Sequence, residues 1–169
     1  MLEAASSGSD LGASAVRFQH RHPERAGSGS LIWTGTVALA HLGADDELVT
    51  AAWSISALTH PNAYAMDVCV LWTIAIAIAR TVRRGRLEGL RTGLNLIDET
   101  RCGDWERWIT EAETLAPGTF NPNGYVVSAL LAAWSAIVAT RSSRDRDDAA
   151  LRQAVAIGDD TDVVAAIAG

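Results

Sequence analysis

Three carboxylates and a hydroxyl stand at four consecutive positions near the end of the chain: Asp159, Asp160, Thr161 and Asp162, preceded by Gly158. Crowded oxygen ligands where a loop enters a helix suit a hard cation such as Mg²⁺, which prefers carboxylates and keeps some of its own waters. An ordinary helix start gives the same string, with Asp159 as the N-cap and the following acids stabilising the first turn. Taken alone, the string favours the ordinary helix start, so other motifs must decide.

A second candidate is the run of small residues Gly27, Ser28, Gly29 and Ser30, which precedes an apolar helix. Small residues leave backbone N–H groups accessible, and such a loop at a helix N-terminus can bind a phosphate or a diphosphate. It has neither the Gly-Lys-Ser/Thr ending of a Walker A motif nor the preceding strand of a dinucleotide-binding fingerprint. The alternative is a flexible turn in which Ser30 caps the helix. We call residues 27–30 the small-residue loop and residues 158–162 the acidic turn.

The composition restricts the partners of these motifs. The chain has 169 residues, a formal charge of −6 and 49% hydrophobic residues. This acidic balance argues against nucleic-acid binding, because neutralising phosphates needs a basic face. No export signal is evident at the start, and the apolar runs at 68–79 and 125–140 are shorter than the roughly 20 residues that span a bilayer. We therefore expect a cytoplasmic protein that does not bind membranes.

The spacing of apolar residues predicts the elements that carry these motifs. Apolar positions recur with helical periods, and no stretch of useful length alternates as a half-buried strand does. Helices are predicted at about residues 31–42, 45–58, 62–84, 86–97, 104–115, 126–139, 149–157 and from 161 onward. Residues 121–124, Asn-Pro-Asn-Gly, are typical of a turn. The predicted fold class is all-α, a multi-helix globular bundle.

Three segments are similar to one known family when they are considered together. They are residues 27–40, residues 56–61 with the sequence Ser-Ala-Leu-Thr-His-Pro, and residues 158–169 with the acidic turn. In order and spacing they resemble the ADP-ribosylglycohydrolase family, and residues 69–72 and 120–125 fit its bacterial branch. The resemblance extends from about Gly27, so residues 27–169 are predicted to form part of such a domain, and residues 1–26 stay unassigned.

The resemblance implies an all-helical fold that binds two Mg²⁺ ions and hydrolyses the glycosidic bond between ADP-ribose and an acceptor, often a protein side chain. It implies that Asp160 and Asp162 bind metal and take part in catalysis. The implied substrate-binding residues are Gly27, Ser28, Gly29, Ser30 and His60. Ions held by the two aspartates would bind the ribose hydroxyls and activate a water for attack at the anomeric carbon.

Differences from the family pattern lower the expected activity. Val163 stands where relatives have a threonine whose hydroxyl joins the metal site, and Ile32-Trp33 stands where they have Met-Arg. The acidic Thr-Asp-Asp segment of longer relatives has no counterpart, and the chain ends at Gly169 within an apolar helix. We therefore expect an incomplete member that is weak or inactive alone, with a complementing chain as one possible partner.

Two other functions stay open on the sequence. The chain could be a non-catalytic module that binds ADP-ribose or a nucleotide diphosphate through the small-residue loop. It could also be a structural helical fragment that needs a partner. Ligand binding distinguishes the three functions, because only the hydrolase requires a metal for it.

Overall fold

Helices form the regular structure of the residues that the computed structural model describes, which are 8–43, 45–81 and 88–169. The α-helices are α1 (Gly8–Arg21), α2 (Thr34–Ala40), α3 (Asp45–Ala57), α4 (Ala63–Thr81), α5 (Gly89–Gly93), α6 (Glu99–Thr114), α7 (Val126–Ala139), α8 (Arg146–Ile157) and α9 (Thr161–Ala168). Short 3-10 helices lie at Ser28–Trp33, Leu94–Leu96 and Pro117–Phe120. Within the described ranges, β-structure is limited to an isolated antiparallel bridge between Gly27 and Tyr125. The predicted all-α fold class is confirmed.

Helices α4 and α7 form the centre of the molecule. α7 is buried along nearly its whole length. α4 divides the core, because Val68 and Trp72 pack in one cluster with α7, whereas Val70 and Ile74 pack in a second cluster with α2 and α3. Over Ala63–Arg80, α4 is long and apolar enough to cross a membrane on length and composition alone, but 61% of that window is buried inside the protein. Its position in the core accounts for its composition.

Helix α5 approaches α4 closely through two glycines. A side-chain carbon added at Gly89 would lie 2.6 Å from Cα of Ala75, and one added at Gly93 would lie 2.9 Å from Cδ2 of Leu71. Carbon atoms at optimal packing distance are about 3.5 to 4.0 Å apart, so neither position has room for a larger residue. The glycines therefore let the two helices touch, and the contact covers part of the apolar surface of α4.

A buried carboxylate joins α4 to α6. The side chain of Asp67 is 2% exposed, and Arg101 donates hydrogen bonds to both of its oxygens, at 2.6 and 2.9 Å. Nε1 of Trp105 donates to the same carboxylate at 3.1 Å. The hydrogen bonding to Asp67 raises the pKa of the Arg101 guanidinium. The charge of this buried acid is thus neutralised by a partner that reaches it in a two-point geometry.

Two predicted helices are shorter than expected. Residues 31–42 are predicted as one helix, but the structure has the 3-10 helix at Ser28–Trp33 followed by α2 at Thr34–Ala40. Residues 86–97 are predicted as a single helix, but the structure has α5 followed by the 3-10 helix at Leu94–Leu96. The glycines that begin and end α5 lower helix propensity, and their contact with α4 fixes where the regular helix stops. The predicted start at 86 and the predicted end of the preceding helix at 84 lie outside the described residues.

Two other predicted helices begin earlier than expected. α6 begins at Glu99 rather than at 104, because Asp98 accepts a hydrogen bond from the backbone N–H of Thr100 at 2.9 Å and acts as the N-cap. α8 begins at Arg146 rather than at 149, which places two aspartates in its first turn. Negative charge at that end is favourable for a helix. In both cases polar residues at the N-terminus extend a helix beyond its apolar pattern, through a capping bond in α6 and through first-turn acids in α8.

Candidate functional site

The acidic turn connects α8 to α9 and bends sharply. Gly158 has a φ of 89° and Asp159 a φ of 62°, a left-handed conformation that glycine adopts freely and aspartate tolerates. Asp160 occupies the N-cap position of α9, and Asp162 lies in its first turn. The interpretation of Asp159 as the N-cap is therefore wrong. Its carboxylate instead accepts a hydrogen bond from the backbone N–H of Asn123 at 2.8 Å.

Asn123 binds the acidic turn from the segment that precedes α7. Its side chain is 0% exposed. Nδ2 donates to the carbonyl oxygen of Gly158 at 3.0 Å, and Oδ1 accepts from the backbone N–H of Asp160 at 2.9 Å. The sequence predicts a turn at 121–124 but no role for this residue. The residue types of a turn do not reveal which asparagine is buried, so no signal in the sequence could have identified it.

The small-residue loop meets the acidic turn. Oγ of Ser28 donates to Oδ2 of Asp160 at 3.3 Å, although the two residues are 132 positions apart in sequence. The bridge from Gly27 to Tyr125 places the loop beside the start of α7 as well. The fold therefore brings together two segments that the sequence singled out independently.

Within the loop, Ser30 faces the core. The 3-10 helix Ser28–Trp33 begins after Gly27 and has no side-chain cap, so the alternative in which Ser30 caps a helix is wrong. Ser30 is 1% exposed, and its hydroxyl accepts a hydrogen bond from the thiol of Cys69 in α4 at 3.6 Å. Burial raises the pKa of the Cys69 thiol, against smaller opposite effects of its hydrogen bonds with Ser30 and Ser56. The small-residue loop is thus anchored on the longest helix.

His60 lies against the small-residue loop. A side-chain carbon added at Gly27 would lie 3.3 Å from Nε2 of the imidazole, and one added at Gly29 would lie 3.4 Å from Cε1. Nδ1 lies 2.8 Å from Oγ1 of Thr59. Burial lowers the pKa of His60 from its ordinary value of 6.5, which favours the neutral ring at neutral pH. The two glycines therefore leave room for a neutral imidazole packed beneath the loop.

Among the described residues, no basic side chain neutralises the charge of the acidic turn. In the part of the chain that the structure describes, no ion pair reaches Asp159, Asp160 or Asp162. Partial burial raises the pKa of Asp160, and the nearby carboxylates of Asp162 and Asp159 raise it further, while the hydrogen bond from Ser28 has the opposite effect. A bound cation would remove this repulsion and favour the ionised form of Asp160.

The donor atoms fit a hard cation in kind, but they are few. Asp160 and Asp162 offer carboxylate oxygens, which Mg²⁺ prefers, and Mg²⁺ commonly completes its shell with water. Among the described residues, no group of three or more His, Cys, Asp or Glu side chains is placed to hold a metal ion. Val163 has no ligand atom in its side chain. These residues can therefore hold part of a metal site but not the full ligand set of two ions.

Two open cavities lie elsewhere on the surface. One of about 350 Å³, between α1 and the start of α4, is lined by residues that include His20 and Asn62. The other, of about 410 Å³, is lined by residues that include His41 and Glu47. Neither is lined by residues of the small-residue loop or the acidic turn. The chemistry of the converging side chains, rather than a deep cavity, therefore locates the candidate site.

Comparison with known proteins identifies the family. A family model described as ADP-ribosylglycohydrolase matches residues 2–169, a range that includes the small-residue loop, His60 and the acidic turn. Searches of curated proteins and of solved structures gave no match. Since the family model covers nearly the whole chain, the protein belongs to the ADP-ribosylglycohydrolase family.

Proposed function

We propose that the chain binds the ADP-ribose part of an ADP-ribosylated protein or small molecule where the small-residue loop meets the acidic turn. There it would take part in hydrolysing the glycosidic bond to the acceptor, a reaction that membership of the family supports in general terms. The observation that carries the proposal is the 3.3 Å hydrogen bond from Ser28 to Asp160. It joins a loop suited to phosphates to carboxylates suited to a cation.

The small-residue loop would bind the diphosphate. Because the 3-10 helix Ser28–Trp33 starts there without a side-chain cap, its first N–H groups can donate to phosphate oxygens, while the Ser28 hydroxyl keeps its bond to Asp160. His60 would line the same pocket, since its ring packs against Gly27 and Gly29. Binding energy at the diphosphate would position the ribose for reaction, although the diphosphate itself does not react.

The acidic turn would act at the ribose. A diphosphate beside two carboxylates is repelled unless a cation lies between them, and we assign that cation, Mg²⁺, to Asp160 and Asp162. When bound, Mg²⁺ polarises ribose hydroxyls and activates a water. Positive charge develops at the anomeric carbon as the glycosidic bond breaks, and the ionised carboxylates stabilise that charge. The hydrogen bond from Ser28 favours the ionised form of Asp160.

The ligand count limits what this chain can do alone. Since we assign two carboxylates of the acidic turn to the metal, and no larger group of ligands is found among the described residues, we assign the remaining ligands of a two-ion site to a complementing chain. The chain by itself would then be a weak or inactive hydrolase. The same shortage of ligands favours a second candidate function, a non-catalytic module that binds ADP-ribose.

Calorimetric titration with ADP-ribose, with and without Mg²⁺, separates these functions. Binding that requires Mg²⁺ and disappears in Asp160→Ala and Asp162→Ala supports the hydrolase site. Asp148→Ala is the matched control, because Asp148 is also an acid in a helix first turn and should leave binding unchanged. Binding without Mg²⁺ supports the non-catalytic module, and no binding contradicts both and leaves a structural role.

A further inference from the structure

Asn123 connects the segment before α7 to three successive residues of the acidic turn. Its backbone N–H donates to the Asp159 carboxylate at 2.8 Å, its Nδ2 donates to the Gly158 carbonyl at 3.0 Å, and its Oδ1 accepts from the Asp160 N–H at 2.9 Å. The side chain is completely buried, so water cannot take the place of these partners. Both ends of the amide are used, and the two side-chain bonds fit only this orientation.

We infer that Asn123 is a positioning residue that fixes the acidic turn, and with it the Asp160 and Asp162 carboxylates, in the arrangement that binds ligand. The inference rests on the proposed function, because it assigns these carboxylates a ligand. Asn123 itself would touch neither substrate nor metal. It acts through the backbone of Gly158 and Asp160.

The need for such a residue follows from the position of the turn. α8 ends at Ile157, with Gly158 as its C-cap, and α9 begins after Asp160, so the turn contains groups that lie beyond the hydrogen bonds of either helix. Asn123 satisfies one group on each side, the Gly158 carbonyl and the Asp160 N–H. Asp160 provides no side-chain cap for α9. Without Asn123, the turn would keep fewer bonds to hold its left-handed backbone.

The repulsion within the turn makes this restraint important for binding. Asp159, Asp160 and Asp162 stand within four consecutive residues, and like charges at such short separations repel one another. A free turn would relax by separating them. Holding them together in advance of binding lowers the cost of bringing them to one cation. Removing the restraint should therefore lower affinity, in addition to the stability that is lost when the Gly158 carbonyl and the Asp160 N–H lose their partner.

The test is Asn123→Ala, with Asn121→Ala as the matched control. Asn121 also donates a side-chain hydrogen bond to a backbone carbonyl near the end of α8, that of Ile157 at 3.0 Å, which is not part of the acidic turn. Amide hydrogen exchange is measured at the Asp160 N–H and, as a reference, at Leu130 in the buried helix α7. The dissociation constant for ADP-ribose is measured in Mg²⁺ by calorimetry.

We expect Asn123→Ala to speed exchange at Asp160 about tenfold more than exchange at Leu130, which rises only with the loss of overall stability. We expect it to weaken ADP-ribose binding in Mg²⁺ by roughly 10- to 100-fold, the usual cost of losing a group that orients a ligating residue. Asn121→Ala should speed exchange at the two positions equally and bind ADP-ribose as the wild type does. That pattern supports a positioning role.

Two results would overturn the inference. One is unchanged exchange at Asp160 in Asn123→Ala. The other is equal acceleration at Asp160 and Leu130, which would show that Asn123 serves only overall stability. If the wild-type chain binds no ADP-ribose, the proposed function fails. The exchange measurement then still decides whether Asn123 fixes the turn.

Discussion

Asp67 and Asp160 both link segments that are distant in sequence, but their surroundings differ. Asp67 is buried and accepts two hydrogen bonds from Arg101 and a third from Trp105. Asp160 is partly exposed and accepts one side-chain hydrogen bond, from Ser28 at 3.3 Å. One carboxylate has a full set of neutralising partners, and the other stands beside charges of its own sign.

The difference separates acids that hold the fold together from acids that are free to bind. A buried carboxylate persists in a core only when a cationic partner neutralises it, as Arg101 does for Asp67. The carboxylates of the acidic turn repel one another, and a fold gains nothing from that repulsion. Their arrangement is explained if a ligand relieves it. The same residue type therefore has a structural role in α4 and a proposed binding role before α9.

The largest effect is expected at Asp67. Asp67→Asn leaves the partly buried Arg101 guanidinium with the more distant and exposed Asp98, at 3.8 Å, as its counter-charge, and removing one partner of a buried pair costs about 3 kcal/mol or more. Urea unfolding measures the change. Asp104→Asn is the control, because the Asp104–Arg107 pair is exposed on α6, at 47% and 59% of the two side chains, and exposed pairs contribute less than about 1 kcal/mol. If Asp67→Asn lowers the free energy of unfolding only slightly, Asp67 does not have the structural role that distinguishes it from Asp160.

A smaller effect is expected from enlarging glycines in the two regions. Gly89→Ala places a carbon 2.6 Å from the backbone of Ala75, which cannot move aside, so it should cost about 1–3 kcal/mol in urea unfolding. Gly27→Ala meets the ring of His60 at 3.3 Å, and that ring can shift, so the loss should be smaller. Gly103→Ala, with open space around it, is the control. If Gly89→Ala and Gly27→Ala lower the free energy of unfolding equally, the candidate site is packed as rigidly as the core.

Acidification should weaken the fold through His60. Burial lowers the pKa of His60 in the folded state from 6.5, so below that value the unfolded chain binds more protons than the folded one. The contribution of neutral His60 to the free energy of unfolding is therefore fully present above pH 6.5, and it is lost as the pH falls below that value through the lower pKa of the folded state. Urea unfolding from about pH 8 to about pH 5 should show this loss in the wild type, and His60→Gln should reduce its slope. The prediction is contradicted if the free energy of unfolding of His60→Gln depends on pH as steeply as that of the wild type. It is also contradicted if the control His41→Gln reduces this pH dependence by the same amount.

The smallest effect on stability is expected at the acidic turn itself. Asp162→Asn removes an exposed charge that repels Asp160, so the free energy of unfolding should change by no more than about 0.5 kcal/mol. Urea unfolding in the presence of a chelator, beside the same measurement on Asp67→Asn, tests the contrast directly. A loss as large as that of Asp67→Asn would mean that the acidic turn is structural.

The sequence predicts most helices, because each buries an apolar face of helical period. α7 is predicted at its observed bounds, and α3 begins at the predicted acids. The predicted helix bounds are wrong where a side chain caps a helix or where one helix packs closely on another. Asp98 starts α6 five residues early, and the contact of Gly89 with α4 shortens α5. Capping bonds and helix contacts depend on three-dimensional neighbours, which periodicity does not contain.

The sequence identifies the segments that form the candidate site, but it does not predict the contacts between them. Residue types and the family resemblance single out the small-residue loop, His60 and the acidic turn. They do not show that Ser28 reaches Asp160, or that His60 is the reason for glycine at positions 27 and 29. Asn123 and Asp67 are missed altogether, since burial decides their roles and an isolated polar residue carries no sign of it.

Cys69 makes the position of the small-residue loop measurable. Its thiol is 0% exposed, bonds to Ser30 and packs in the cluster with α2 and α3, so a thiol-reactive dye can reach it only after the loop or a neighbouring helix moves away from α4. The other free cysteine, Cys102, is partly exposed on α6 and needs no such opening. The ratio of the two labelling rates therefore reports how often the structure around the loop opens. A ligand that holds the loop closed would slow labelling at Cys69 alone, in a protein that needs no engineered probe.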